Sequence, residues 1–216
     1  LGIPADSIIG VRTEQCGFDV WERDDGMRPE GPEGLYDDKG AERYNAWLRD
    51  KGYPGDNPWH DFANSSRAED GTVQSGWLLR NARKAAHIKE EDSETPYMTT
   101  RAIEFMEQAG DTPWCAHLSY IKPHWPYIAP APYNDMYSAK DVIPVNRSDG
   151  ELVNMHPVFE AYATGKVGAS FSRDFVRDEV IPSYMGLIKQ CDDQMGRLFA
   201  YLKDSGRWDD TMIVLT

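Results

Sequence analysis

The residue best placed to do chemistry is His124, within Trp114-Cys-Ala-His-Leu-Ser-Tyr-Ile-Lys-Pro-His-Trp-Pro-Tyr127. Pro123 and Pro126 fix φ on either side of His124 and Trp125, and push Lys122 and Trp125 toward extended backbone. The apolar run before them, Trp114 to Tyr120, has the length and boundaries of a buried strand. A strand would then deliver a stiff loop that presents one imidazole beside two aromatic rings. Open α/β sheets bind ligands beyond the carboxyl ends of their strands, which is where this imidazole would sit. The competing reading is a packed, hydrogen-bonded histidine flanked by a solvated Lys122.

Other chemistry-bearing residues are less well placed. Cys16, Cys115 and Cys191 are odd in number and form no Cys-x-x-Cys or His/Cys cluster, so free thiols in a reducing compartment are expected and a cytoplasmic location is favoured. Asp192-Asp193 resembles a metal pair, but neighbours on a helix diverge by about 100° and do not share an ion. Glu30-Gly31-Pro32-Glu33-Gly34 has glycines among acidic neighbours and reads as a turn, not a phosphate loop. His156 and Lys166 have no evident partners in the sequence.

Composition narrows the class. Of 216 residues, 40% are apolar and 12% aromatic, as in a globular chain. The 36 acidic against 23 basic residues give a net charge of −13, which disfavours nucleic acid and anionic membrane surfaces but leaves a small anionic substrate open. No run approaches the ~18 apolar residues of a membrane span, and the first residues lack a leader pattern.

The elements that must position His124 follow from periodicity. Residues 1–40 read as loop, Ala41 to Lys51 as a helix, and 53–93 as loop with turns at Asn57-Pro58, Asn64-Ser65-Ser66 and Asp70-Gly71. The acidic run Glu90-Glu91-Asp92 reads as solvated surface. Thr95 at N-cap and Pro96 at N1 open a helix with the stripe Met98, Ala102, Phe105, Met106 and Ala109, ended by Gly110. Ile128 to Tyr133 is too rich in proline for a central strand. Residues 138–179 read as an irregular insertion with a short helix from Pro157 to about Gly165. Val180 to Lys203 is the best-patterned helix, with a stripe of Tyr184, Leu187, Ile188, Cys191, Met195, Leu198, Phe199 and Leu202, capped by Gly206. Thr211 to Thr216 reads as a buried parallel strand, its carboxyl end on the same sheet edge as that of Trp114–Tyr120.

With these elements placed, the chain resembles the sulfatase and phosphonate monoester hydrolase branch of the alkaline phosphatase superfamily. Three stretches carry the likeness: His117 to Tyr133, with its Lys-Pro-His-Trp-Pro loop; the helix from Tyr184 to Leu198; and Ser205-Gly-Arg-Trp-Asp-Asp-Thr-Met-Ile-Val-Leu-Thr216. The resemblance implies an α/β fold with a mostly parallel sheet flanked by helices, an alkaline phosphatase-like sandwich of which 1–216 would be an incomplete central part. It also implies a hydrolase of sulfate or phosphonate/phosphate esters.

In this likeness His124 matches the family histidine that meets the transferred group or its leaving oxygen, so it is the expected catalytic and substrate-binding residue. Such an imidazole stabilises developing oxyanion charge or protonates the departing oxygen. Lys122 matches less well, since the family often has arginine or a small residue there. The resemblance further implies a divalent metal of the calcium or manganese class and a formylglycine nucleophile. Neither Cys16, Cys115 nor Cys191 lies in the family's Cys-x-Pro-x-Arg or Cys-x-Ala-x-Arg motif, and the expected metal ligands are absent, so no metal residue is assigned. The expected partners are a small anionic ester and further copies of the chain in a homo-oligomer. The alternative is a non-catalytic, degenerate or truncated sulfatase-like binding module.

Overall fold

Tyr44 and Leu48 lie four residues apart on helix α1 (Ala41–Asp50), and their shared face is wholly buried. The helix ends where Gly52 takes φ +96°, which lets Gly52 N–H donate to Arg49 O and Tyr53 N–H to Leu48 O. The computed structural model describes Phe18, Asp19, Trp21, Glu22, residues 41–146 and residues 148–216. The loop expected over 1–40, with its Glu30-Gly31-Pro32-Glu33-Gly34 turn and Cys16, lies almost wholly outside the described residues.

Residues 53–93, expected as loop, carry much of the core. A five-residue π turn, Trp59–Ala63, buries Trp59, Phe62 and Ala63 against α1, Tyr97, Ile88 and Ile128. Asn45 holds it in place by accepting from Trp59 N–H at 2.8 Å. Strands β1 (Ser65–Arg67) and β2 (Val73–Ser75) then form an antiparallel hairpin. Its turn is the expected Asp70-Gly71, with Thr72 N–H donating to Asp70 Oδ1 and Gly71 at φ +84°. Of Asn64-Ser65-Ser66, Asn64 lies in a turn as expected, its N–H donating to Trp59 O, whereas Ser65 and Ser66 are buried in β1. Asp92, expected on a solvated surface, is 4% exposed: Tyr53 Oη donates to its carboxylate at 2.9 Å and Lys51 Nζ stands 3.6 Å away. Those two partners replace the water that the carboxylate gives up.

Helix α2 (Glu94–Ala109) starts two residues earlier than Thr95 and Pro96 suggested, with Ser93 at its N-cap. Gly110, at φ +55°, ends it. The parallel pairing lies where proline argued against it: β3 (Ala85–Ala86) pairs with β4 (Ala129–Pro130), both residues of β4 being buried. Pro130 has no N–H to donate, so the ladder stays two residues long.

The two segments expected as buried strands are corrected. Among the described residues neither Trp114–Tyr120 nor Thr211–Thr216 joins a ladder. Cys115 and His117 are exposed, and Met212, Val214 and Leu215 are 89%, 74% and 78% exposed. Apolar content gave these runs the composition of a strand, but among the described residues Trp114–Tyr120 is covered on part of its length only, by Phe105 against Trp114 and Thr99 at Tyr120 Oη, and Thr211–Thr216 is almost wholly exposed.

Helices α3 (Pro157–Thr164) and α4 (Lys166–Phe171) lie in the stretch expected as an irregular insertion; the sequence showed the first, and Gly165 divides it from the second. His156 caps α3, its Nδ1 accepting from Val158 N–H at 3.3 Å. A π turn, Val176–Val180, leads into α5 (Ile181–Asp204), which ends with Gly206 at φ +72°. The apolar stripe misplaces the buried face of α5. Tyr184 and Ile188 are 39% and 44% exposed, whereas Ser183, Gly186, Gln190 and Gln194 are buried beside Leu187 and Cys191. The face is rotated because it meets polar groups, both backbone and side chain: Ser183 Oγ donates to Ala82 O at 2.7 Å, and Gln190 Nε2 to Ser93 Oγ at 2.8 Å. No helix among the described residues is long and apolar enough to cross a membrane.

Gly186 and Gly196 offer a matched test of this packing. A Cβ at Gly186 would stand 2.1 Å from Tyr133 O, whereas at Gly196 nothing lies within 4 Å. Gly186→Ala is expected to destabilise the chain by about 1–3 kcal/mol, and Gly196→Ala to stabilise it by about 0.5–1 kcal/mol, as read from urea unfolding midpoints. Equal effects would mean that α5 does not press on residue 133.

Candidate functional site

The loop that carries His124 is gripped from inside by its own lysine. Lys122, a solvated flank in the competing reading, is 6% exposed. Its ammonium donates to Asn64 Oδ1 at 2.7 Å and to Pro126 O at 3.0 Å, with Glu94 Oε2 at 3.9 Å. Glu94, 5% exposed, accepts from Trp59 Nε1 at 2.7 Å through its other oxygen and from Asn64 Nδ2 at 3.4 Å. Glu94 is also the first residue of α2, where a negative charge is favoured by the helix dipole. The Lys122 carbonyl, in turn, accepts from Cys191 Sγ on α5 at 3.3 Å.

From this buried base the loop turns outward. His124 N–H donates to Ile121 O at 2.9 Å, and the side chain of His124 is exposed. Its Nδ1 lies 2.7 Å from Trp125 O. A carbonyl only accepts, so Nδ1 carries the proton and Nε2 is left facing outward, with no hydrogen-bond partner among the described residues. The loop then dives back: Pro126, Ile128 and Ala129 are buried. Trp125 packs edge-on to Trp77 at 4.6 Å, which in turn meets Trp59 at 6.3 Å. Tyr127 packs against Tyr184 of α5 and Phe171 of α4, at 5.8 and 6.1 Å. The result is an exposed, tautomer-fixed imidazole on a loop whose flanks are buried on both sides.

The run expected to deliver this loop joins no ladder among the described residues, where the contacts that hold the loop come from the lysine network. His117, in the same run, is exposed with its ring 5.8 Å from that of Phe18.

A second constellation has the polarity of a catalytic triad. His60 Nδ1 lies 2.9 Å from Asp61 Oδ1 and Nε2 lies 3.3 Å from Ser75 Oγ. The backbone donors that follow Ser75 do not form an oxyanion site for it. Trp77 N–H is spent on Ser75 Oγ, Gly76 N–H on Asn64 O and Leu78 N–H on Ser75 O, so these backbone donors are taken. An open cleft lined by Lys51, Tyr53, His87, Lys89 and Asp92 shares no residue with the His124 loop.

The residues present do not fit a metal. Among the described residues no three His, Cys, Asp or Glu side chains converge. Asp193 is committed to Tyr133 Oη at 2.8 Å and to Lys189, and these two contacts help hold its carboxyl below the ordinary value, Lys189 most strongly. Asp192 also lies near Lys189, at 3.9 Å.

A family model described as Sulfatase matches residues 34–216. The chain belongs to the sulfatase family. The multifunctional alkaline phosphatase superfamily protein PehA of Trinickia caryophylli is 35% identical over 148 residues, which are 62% of this chain and 28% of that protein. Among solved structures, the phosphonate monoester hydrolase SpPMH of Silicibacter pomeroyi superposes with a TM-score of 0.61 at 26% identity, over 86% of this chain and 40% of its own. The phosphonate monoester hydrolase of Agrobacterium radiobacter gives 0.63 at 25%, over 87% and 40%. The fold is therefore that of the alkaline phosphatase-like α/β hydrolases, and the chain spans well under half the length of these relatives.

The sequence pointed to His124 but not to Asn64, Glu94 or Trp77, which hold its loop. Asn64 stood in an expected turn and Glu94 just before the expected N-cap Thr95, and neither carries a local pattern that announces a partner at Lys122.

The cysteines report on the base of this loop. Cys115 is exposed, whereas Cys191 is buried against Lys122 O, and burial pushes its thiol up. A neutral-pH alkylating reagent is expected to label Cys115 in the folded chain and Cys191 only after denaturation, as read by peptide mass mapping. Rapid labelling of native Cys191 would show that α5 does not seal the loop.

Proposed function

We propose that this chain is the His124-bearing part of a metal-dependent hydrolase of sulfate or phosphonate/phosphate esters. The observation that carries the reading is the outward-facing Nε2 of His124, on a loop anchored beneath by Lys122, Asn64 and Glu94. The family assignment supplies the class of reaction, and the likeness to phosphonate monoester hydrolases and to an alkaline phosphatase superfamily protein favours phosphonate and phosphate esters among the substrates.

In this reading His124 meets the ester on its leaving-group side. Nδ1–H is tied to Trp125 O, so the ring cannot swing, and Nε2 is the atom that exchanges a proton. As imidazolium, Nε2 donates to the departing oxygen and lowers the cost of the charge that develops there. Trp125 and Tyr127 flank the loop with aromatic surface suited to an organic leaving group. The divalent metal of the family has no ligand set among the described residues and its formylglycine has no motif in the sequence, so no step is assigned to them. They belong, in this proposal, to family segments this chain does not span.

Two assays test it. The isolated 216-residue chain is expected to show no turnover of aryl sulfates or aryl phosphonate monoesters above its own His124→Ala variant. In a complete family protein that contains this chain, His124→Ala is expected to lower kcat/KM by on the order of 10²-fold, while His117→Ala has a smaller effect at equal folded fraction. Full activity in His124→Ala would sink the assignment of His124. A complete protein inactive on all three ester classes would favour a binding module.

A further inference from the structure

We infer that Lys122 is a positioning residue for His124, and that its buried ion pair with Glu94 serves the site as well as the fold. This deepens the reading above and rests on it for the catalytic consequence, but the geometry is independent of any activity. Lys122 and Pro126 stand symmetrically, two residues either side of His124, and the ammonium of one donates to the carbonyl of the other at 3.0 Å. The contact closes residues 122–126 into a ring that has His124 at its apex. The adjoining carbonyl, that of Trp125, is the one that fixes the imidazole through Nδ1 at 2.7 Å. A path of direct contacts therefore runs from Glu94 and Asn64 to the Lys122 ammonium, then to the Pro126 carbonyl, and one peptide back to the imidazole.

A lysine that only neutralised Glu94 would not need to reach Pro126. An ammonium offers donors in several directions, and here they are spent on an amide oxygen, a carbonyl across the loop and a carboxylate side. The carbonyl across the loop is the one of these partners that lies in the His124 loop itself. Errors in the placement of a reacting group as small as an ångström cost large factors in rate, so a ring that holds the apex is a means of preorganisation.

The two roles separate in a double variant. Lys122→Met alone strands a buried carboxylate and is expected to lower the unfolding midpoint strongly. Lys122→Met/Glu94→Gln removes both charges, so the midpoint is expected to recover most of that loss, yet no donor then reaches Pro126 O. The His124 imidazole NMR signal of the chain should therefore be displaced in both variants, and return in neither. In a complete, active family protein the double variant is expected to lower kcat/KM roughly 10- to 100-fold, mainly in kcat, and to add nothing in a His124→Ala background. In the unmutated chain, a slowly exchanging Lys122 ammonium signal is expected, which needs no variant to fold. An undisplaced His124 signal in the folded double variant, or a freely exchanging ammonium, overturns the inference. A displaced signal with activity that does not depend on His124 leaves the ring intact as a structural finding and overturns the proposed function instead.

Discussion

Two opposite charges, Lys122 and Glu94, are shut away from water together, and the segments around them are arranged to make that tolerable. Removing either ion from water costs several kcal/mol, and attraction alone does not return it unless the remaining hydrogen-bonding capacity is filled. Here it is filled from four places in the chain. Asn64 leads into β1, Trp59 belongs to the π turn, Glu94 begins α2, and Pro126 closes the His124 loop. Each supplies at least one contact, and Asn64 supplies two, so no one of these segments can leave without exposing an unmet charge. Such an arrangement contributes less to net stability than an apolar core of the same volume, but it specifies one geometry.

That geometry also explains the unusual face of α5. A helix packed on an aliphatic core would bury Tyr184 and Ile188; this one buries Ser183, Gly186, Gln190 and Gln194. Its neighbours are carbonyls and hydroxyls: Ala82 O, Ser93 Oγ, Lys122 O and Tyr133 O. Small and amide side chains let the helix axis come close to that backbone and satisfy it, which long aliphatic side chains would not. The displaced apolar residues find other surfaces. Tyr184 meets Tyr127, just beyond His124, which ties the outer face of the helix to the same loop.

Local chemistry was legible in the sequence and partnership was not. Gly52, Gly110 and Gly206 end their helices with positive φ, as their positions after apolar stripes implied. The Asp70-Gly71 turn and the proline-braced His124 loop were likewise visible, because turn chemistry is decided by the residues in the turn. Burial of a charge is decided elsewhere. Asp92 looked solvated because Glu90 and Glu91 stand beside it, and nothing nearby revealed that Tyr53 and Lys51 would come to meet it. Lys122 looked like a flank for the same reason. The face of α5 was misread because hydropathy scores side chains against oil, and this helix packs against backbone and polar side chains.

The strands are the sharper case, and they bear on how His124 is justified. Thr211-Met-Ile-Val-Leu-Thr216 is composed for burial on both faces, yet it stands exposed from Met212 onward, and within Trp114–Tyr120 the residues Cys115, Ala116, His117 and Ser119 are exposed. A strand exists only by virtue of its neighbours: without a ladder its N–H and C=O groups turn to water, and its apolar side chains stay there too. Composition therefore states what a segment requires, and only partners decide whether the requirement is met. An argument that places His124 by the carboxyl edge of a parallel sheet fails for the described residues, since neither run pairs. The imidazole is nevertheless fixed, because its restraints are local to residues 121–126 and are anchored inward through Lys122. The case for His124 thus passes from topology, which a sequence pattern can only suggest, to a short path of hydrogen bonds that runs from a buried carboxylate to an exposed ring.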